Sequence, residues 1–253
     1  MGYPHYHWIH RTEQARRVLP GPVRNAISTI AAHLLPMGLR GRNHLIGLAG
    51  EVSQSIAHVN LFFDLEARRR LLAPLLSRGV CFGVSPEQYK ANFCVSGQSS
   101  LQQATRADFR AYLVDDILVK VDRASMLTSL EVRAPWLDPR IIEMAFGCVQ
   151  DSMRAVGSER KILPRALASR VLPPALDLKR KQGFGIPFDE WFRGDWGGFI
   201  ESLLAKGDEQ IFDRGVIRSL VAGQRQGYAN SQRLFALAMF ELWRREYRVA
   251  LSD

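Results

Sequence analysis

The segment Lys179–Pro187, KRKQGFGIP, carries residue types suited to chemistry on an anion. Lys181 is a compact cation. Gly183 and Gly185 lack a Cβ, so neighbouring backbone N–H groups can approach a bound anion closely, and Pro187 suits the first position of a following helix. A lysine beside a glycine-rich turn makes a phosphate or pyrophosphate clamp. The same spacing also makes a plain turn, and spacing by itself does not choose between the two.

The second candidate is Tyr112–Asp138, YLVDDILVKVDRASMLTSLEVRAPWLD. Ile117, Leu118, Val121, Ala124, Ser125 and Leu127 recur at helical spacing. Asp115 and Asp116 fall where a first turn favours negative charge, and Pro135 stops further helix. Lys120, Asp122 and Arg123 interleave with the apolar set, and Glu131, Arg133 and Asp138 follow in a short apolar stretch. Charges in so apolar a segment are expected to be paired or to lie beside a ligand. A network of buried ion pairs fixing two helices satisfies the pattern as well as a ligand site does.

The string DDILVKVDRASMLTSLEVRAPWLD resembles the synthetase domain of glutamine-hydrolysing asparagine synthetases, and KRKQGFGIP resembles that family's C-terminal lysine–glycine loop, in the family's order and at about its spacing. Gly2-Tyr3-Pro4-His5-Tyr6 is similar to the tail of the family's D-E-x-F-G-G-Y-x-x-Y segment. The resemblance runs over essentially the whole chain but only the C-terminal half of the family's synthetase domain. It implies a mainly α fold, the helical C-terminal portion of an α/β adenine-nucleotide α-hydrolase-like domain.

It also implies a reaction. ATP with Mg²⁺ adenylates the side-chain carboxylate of aspartate, and ammonia made from glutamine in a separate domain displaces AMP to give asparagine. On this resemblance Lys181 contacts the ATP phosphates and stabilises charge as pyrophosphate leaves, with Gly183 and Gly185 shaping the loop. Asp122 and Arg123 match a charged helix position near the substrate cleft, where they either touch substrate or support the residues that do. Glu131, Arg133 and Asp138 match E-x-R-x-P-x-L-D and are expected to form mainly a structural ion-pair network.

Three departures follow. Residue 2 is Gly2 where the family's glutaminase nucleophile is cysteine, and neither the S-G-G-x-D-S pyrophosphate loop nor the acidic segment before the Gly-Tyr occurs. Most ATP and magnesium ligands are therefore expected outside this chain, with a partner chain carrying the glutaminase domain and the loop. A non-catalytic remnant, a helical interaction module and one subunit of a split amide ligase are the competing expectations. Relatives with this pattern amidate carboxylates other than aspartate, so the acceptor stays open.

Composition narrows the classes. With 47% hydrophobic and 23% charged residues in 253, the chain is an ordinary globular one. The net charge of +9 is spread along almost every predicted helix, with no aromatic–basic stacking motif or zinc-finger spacing, which argues against nucleic acid. Cys81, Cys94 and Cys148 are sparse and unpaired by motif, fitting a reducing cytoplasm. The start MGYPHYHWIH has no apolar leader core, and no run approaches the roughly 20 apolar residues of a membrane span. His5, His7 and His10 match no ligand spacing, so no metal site is expected.

The elements that must position these residues read as one mostly helical unit over 1–253. Helices are predicted at Pro22–Leu35, Asn43–Phe63, Glu66–Leu76, Pro86–Asn92 with Ser85 as N-cap, and Ser100–Leu113. An apolar core helix is expected at Arg140–Val149, capped by Asp138, followed by Lys161–Val171 with Pro164 near its start. Phe188–Phe192, Gly198–Ala205, Val216–Arg225 and Ser231–Val249, with Asn230 as N-cap, complete the set. No convincing strand is expected.

Overall fold

A computed structural model of the chain describes residues 5–50, 52–58, 61–81, 83–157, 159–178 and 186–249. It is mainly helical and divides into two compact units. Met1–Pro20, Gly50–Val59 and Val84–Gly183 fall in the first, Gly21–Ala49, Asn60–Gly83 and Phe184–Asp253 in the second.

The second unit is organised by burial. It contains α2 (Gly21–His33), α3 (Arg42–Ile46), α5 (Leu65–Leu71), α6 (Ala73–Ser77), α13 (Phe188–Trp191), α14 (Asp195–Ala205), α15 (Arg214–Arg225) and α16 (Ser231–Glu246). Ile200, Leu203 and Leu204 of α14, Ile217 and Leu220 of α15, and Leu234 and Leu237 of α16 recur at helical spacing and bury together, with Leu71 of α5 beside them. Each such side chain withdrawn from water contributes about 1.5–3 kcal/mol before entropy is counted. Asp213 fixes the start of α15 by accepting the Val216 N–H at 2.8 Å. Its own N–H donates to the Leu71 carbonyl at 2.8 Å, which brings α5 to that corner.

Polar groups inside this unit are satisfied. Arg42, 3% exposed, pairs with the Asp64 carboxylate and donates to the carbonyls of Leu35 at 3.1 Å and Ala32 at 2.9 Å. Asp64 also N-caps α5 by accepting the Ala67 N–H at 3.1 Å. Burial pushes the Asp64 carboxyl up, but the Arg42 guanidinium and the Ala67 N–H outweigh it and hold the group below the usual carboxylate range. Glu241, 1% exposed on α16, accepts from Arg244 at 3.0 and 3.1 Å and from Arg245 at 2.6 Å.

Asn230 stands at the N-cap position of α16, as its place in the sequence predicts, yet its side chain does not cap the helix. The amide is buried and donates instead to the Leu220 carbonyl at 3.2 Å. Gly38, at φ +86°, backs it so closely that a Cβ there would meet Asn230 Oδ1 at 2.5 Å.

The first unit contains α1 (His5–Val18), α4 (Val52–His58), α7 (Pro86–Ala91), α8 (Ser100–Arg110), α9 (Val119–Met126), α10 (Pro139–Gly147), α11 (Asp151–Arg154) and α12 (Ile162–Val171). Its buried cluster is smaller, made by Tyr6, Ile9, Ile56, Ala104 and Ala107 where α1, α4 and α8 meet. A capping box starts α7: Ser85 Oγ accepts the Gln88 N–H at 3.1 Å while Gln88 Oε1 accepts the Ser85 N–H at 3.2 Å. One π-helical turn, Leu113–Leu118, leads into α9.

Several expectations need correction. The segment Asn43–Phe63 holds two short helices, α3 and α4, separated around Gly47 and Gly50, whose cost in a helix interior favours a break. A two-residue antiparallel ladder, β1 (Ala155–Val156) with β2 (Glu159–Arg160), appears where no strand was expected, turned by Gly157 at φ +56°. Helix α10 starts as predicted, with Asp138 accepting the Arg140 N–H at 2.9 Å, but it is not a core helix: none of its residues is buried. Its apolar stripe fixes a face without supplying the neighbour that would cover it.

Helix α12 begins at Ile162, so Pro164 falls in the first turn, where no intrahelical donor is lost. Among the described residues no helix is long and apolar enough to cross a membrane.

Candidate functional site

The lysine–glycine loop residues Lys181, Gly183 and Gly185 lie outside the described residues. The other sequence candidates fall on the surface of the first unit. Asp122 and Arg123 are exposed neighbours on α9. Glu131 and Arg133 pair with each other at 2.6 Å, in solvent and two residues apart, rather than joining two helices. Asp138 caps α10 and pairs with Arg140 at 2.9 Å. The Arg140 guanidinium, then its N–H, hold the Asp138 carboxyl below the usual range. None of these five residues lines a cavity with the others.

The concave feature of this unit lies behind them. A cavity of about 610 Å³ is walled by α8, the π-turn, α10 and α12, with Trp136 from a 3₁₀ turn at Pro135–Leu137. Phe109, Tyr112, Phe146, Met153 and Leu167 make its wall apolar, and Phe109 meets Phe146 edge-on with centroids 5.3 Å apart. Tyr6, Asp108, Arg154 and Lys161 bring polar atoms to it.

These four are positioned by local structure. The Tyr6 hydroxyl on α1 donates to Asp108 Oδ2 on α8 at 2.5 Å, across 102 residues of sequence. Arg154 is buried at the end of α11. It donates to the carbonyl of Val149 at 2.9 Å and to that of Ala145, and its guanidinium lies 5.8 Å from the Phe146 ring centroid. Burial pulls this guanidinium below its ordinary pKa, with Asp151 acting in the opposite direction. Lys161 follows β2 at φ +57°, a left-handed backbone uncommon for a side chain of its size, and precedes α12. An apolar concavity with a few convergent polar groups is the usual form of a small-molecule site.

Sequence reading noted Lys161 only as sharing a helix face with Arg165, and gave Tyr6 no role of its own. Asp108 and Arg154 carry no motif. Their signal is tertiary, since contacts spanning many tens of residues leave no local spacing to read. Among the described residues no group of His, Cys, Asp or Glu gathers to hold a metal ion. The magnesium that accompanies ATP in the resembled family therefore finds no ligand set among them.

The asparagine synthase family model matches residues 1–245. The chain is 22% identical over 228 residues to asparagine synthetase (glutamine-hydrolysing) 1 of Bacillus subtilis, an alignment covering 89% of this chain and 35% of that protein. It is 26% identical over 230 residues to a provisionally named glutamine-hydrolysing asparagine synthetase of Mycobacterium bovis, covering 89% of this chain and 34% of that one; the Mycobacterium tuberculosis counterparts match equally. The chain thus spans about a third of the length of these curated relatives. No solved structure matches it. With the family model covering all but its last residues, the chain belongs to the asparagine synthase family.

Proposed function

We propose that the chain is the C-terminal helical portion of an ATP-dependent amide ligase of the asparagine synthetase type, working in the cytoplasm. The match of the family model over residues 1–245 carries this reading. The carboxylate oxygen of the acceptor, aspartate in the family's reaction, attacks the α-phosphorus of ATP and pyrophosphate leaves. Ammonia from glutamine then attacks the acyl carbon and AMP departs with the carbonyl–oxygen bond electrons.

In this scheme the chain's own share is Lys181, held by Gly183 and Gly185, neutralising charge on the leaving pyrophosphate. Asp122 and Arg123 orient substrate or the groups around it. Glu131, Arg133 and Asp138 act structurally. The glutaminase domain, the pyrophosphate loop and the magnesium ligands of the α/β parent fold come from polypeptide beyond the matched third of the relatives.

The decisive measurement is ATP–pyrophosphate exchange by the chain combined with a polypeptide carrying S-G-G-x-D-S. Exchange is expected, and Lys181→Ala should lower its rate by about 10²-fold or more with an unchanged circular dichroism spectrum. A mutant as active as its parent removes Lys181 from the mechanism. A second reading, a non-catalytic helical module, is favoured by one observation: from Tyr112 to Leu178 the only buried described residue is Arg154. Such a module would bind its partner and show no exchange.

A further inference from the structure

The cavity of the first unit is mismatched to aspartate. L-Aspartate presents two carboxylates and an ammonium around a single methylene, and each group would need a partner on leaving water. The wall offers instead the rings of Phe109, Tyr112, Trp136 and Phe146, with Met153 and Leu167. Its volume of about 610 Å³ falls in the range of sites that take ligands much larger than aspartate.

The charged groups at the cavity are Arg154 and Lys161 against one carboxylate, Asp108, which already accepts the Tyr6 hydroxyl. That balance favours a single negative charge on the ligand.

We infer that this cavity binds a small carboxylic acid with a bulky aromatic or branched apolar body. The apolar body lies against Phe109, Trp136 and Phe146, and the carboxylate lies toward Lys161. The carboxylate alone rests on the amide-ligase reading, in which it is the group presented for amidation; the apolar body rests on the cavity.

The test is direct binding to the chain without ATP, so that it is independent of turnover. With 4-phenylbutyrate as probe, ligand-observed NMR and calorimetric titration should show saturable one-site binding that L-aspartate does not displace. The neutral 4-phenylbutyramide should bind at least tenfold more weakly. Leu167→Asp places a charge in the wall and Trp136→Ala removes part of it, and each should weaken binding at least tenfold while the circular dichroism stays unchanged. Leu127→Asp, an exposed position off the cavity, should leave it as it was.

Displacement by L-aspartate, equal binding of the amide, or indifference to both wall variants would overturn the inference. So would the absence of saturable binding, which would make the groove a surface filled by polypeptide. Binding of the acid in a protein that never supports ATP–pyrophosphate exchange would leave the inference standing and remove the ligase reading.

Discussion

Helices α15 and α16 of the second unit and helices α9, α10 and α12 of the first are built from similar amphipathic sequence, yet they end in opposite environments. Leu220 is 1% exposed and is packed with Ile217, Leu234 and Leu237. Leu127, just past α9, is 88% exposed, and Trp136 and Val171 nearby are more than half exposed. The difference lies in what each apolar stripe meets. In the second unit α14, α15 and α16 supply one another with faces. In the first, the stretch 112–178 presents its apolar side to a cavity and to solvent. Apolar surface this extensive marks a place where something binds.

Three substitutions sharpen or break that contrast. The largest effect is expected from Arg42→Ala, which leaves the Asp64 carboxylate buried without its partner and should cost about 3–5 kcal/mol in urea unfolding at neutral pH. The same pair sets a pH dependence. Because the folded Asp64 is held below its ordinary value, its stabilisation is complete above about pH 4 and is lost as pH falls through the lower folded value. Acid should therefore weaken the parent, and this component of the pH slope should vanish or reverse in Arg42→Ala.

Next comes Leu220→Ala, expected to cost about 2–5 kcal/mol by transfer and cavity terms together. Native-state hydrogen exchange should show the loss across α14–α16. The smallest effect belongs to Leu127→Ala, within about 0.5 kcal/mol of the parent. A loss near that of Leu220→Ala would mean that the 112–178 face is packed in solution, and the contrast between the two regions would collapse.

What was legible in the sequence divides along the same line. Ser85 before Pro86 and Asp138 before Pro139 announced α7 and α10 correctly, because a cap is a contact between residues two or three apart. The start of α12 around Pro164 resolved for the same local reason. Burial was not legible. The apolar residues of α10 look like a core stripe, yet nothing in the segment itself says whether another element lies over it. Helix α1 was missed because His5–Val18 is rich in polar residues and its first turn holds no acidic residue, so neither stripe nor start stands out. The Tyr6–Asp108 contact was invisible since its two halves are 102 residues apart. Glu131 and Arg133 were read as a network from a family string, and the structure gives them one short pair in water.

The π-turn at Leu113–Leu118 has a consequence for how this stretch tolerates changes in length. A π-turn takes more residues to close than an α-turn, so it stores a surplus residue inside an otherwise continuous helix. Deleting one residue there would let the segment relax to ordinary α-helix without breaking the chain. Everything after it would then turn by about 100° about the helix axis. Asp122 and Arg123 would point elsewhere, while Phe109 upstream would keep its place in the cavity wall. The turn works as a phase setting between the cavity and the charged face, and a change of one residue in number resets it where a change of residue type would not.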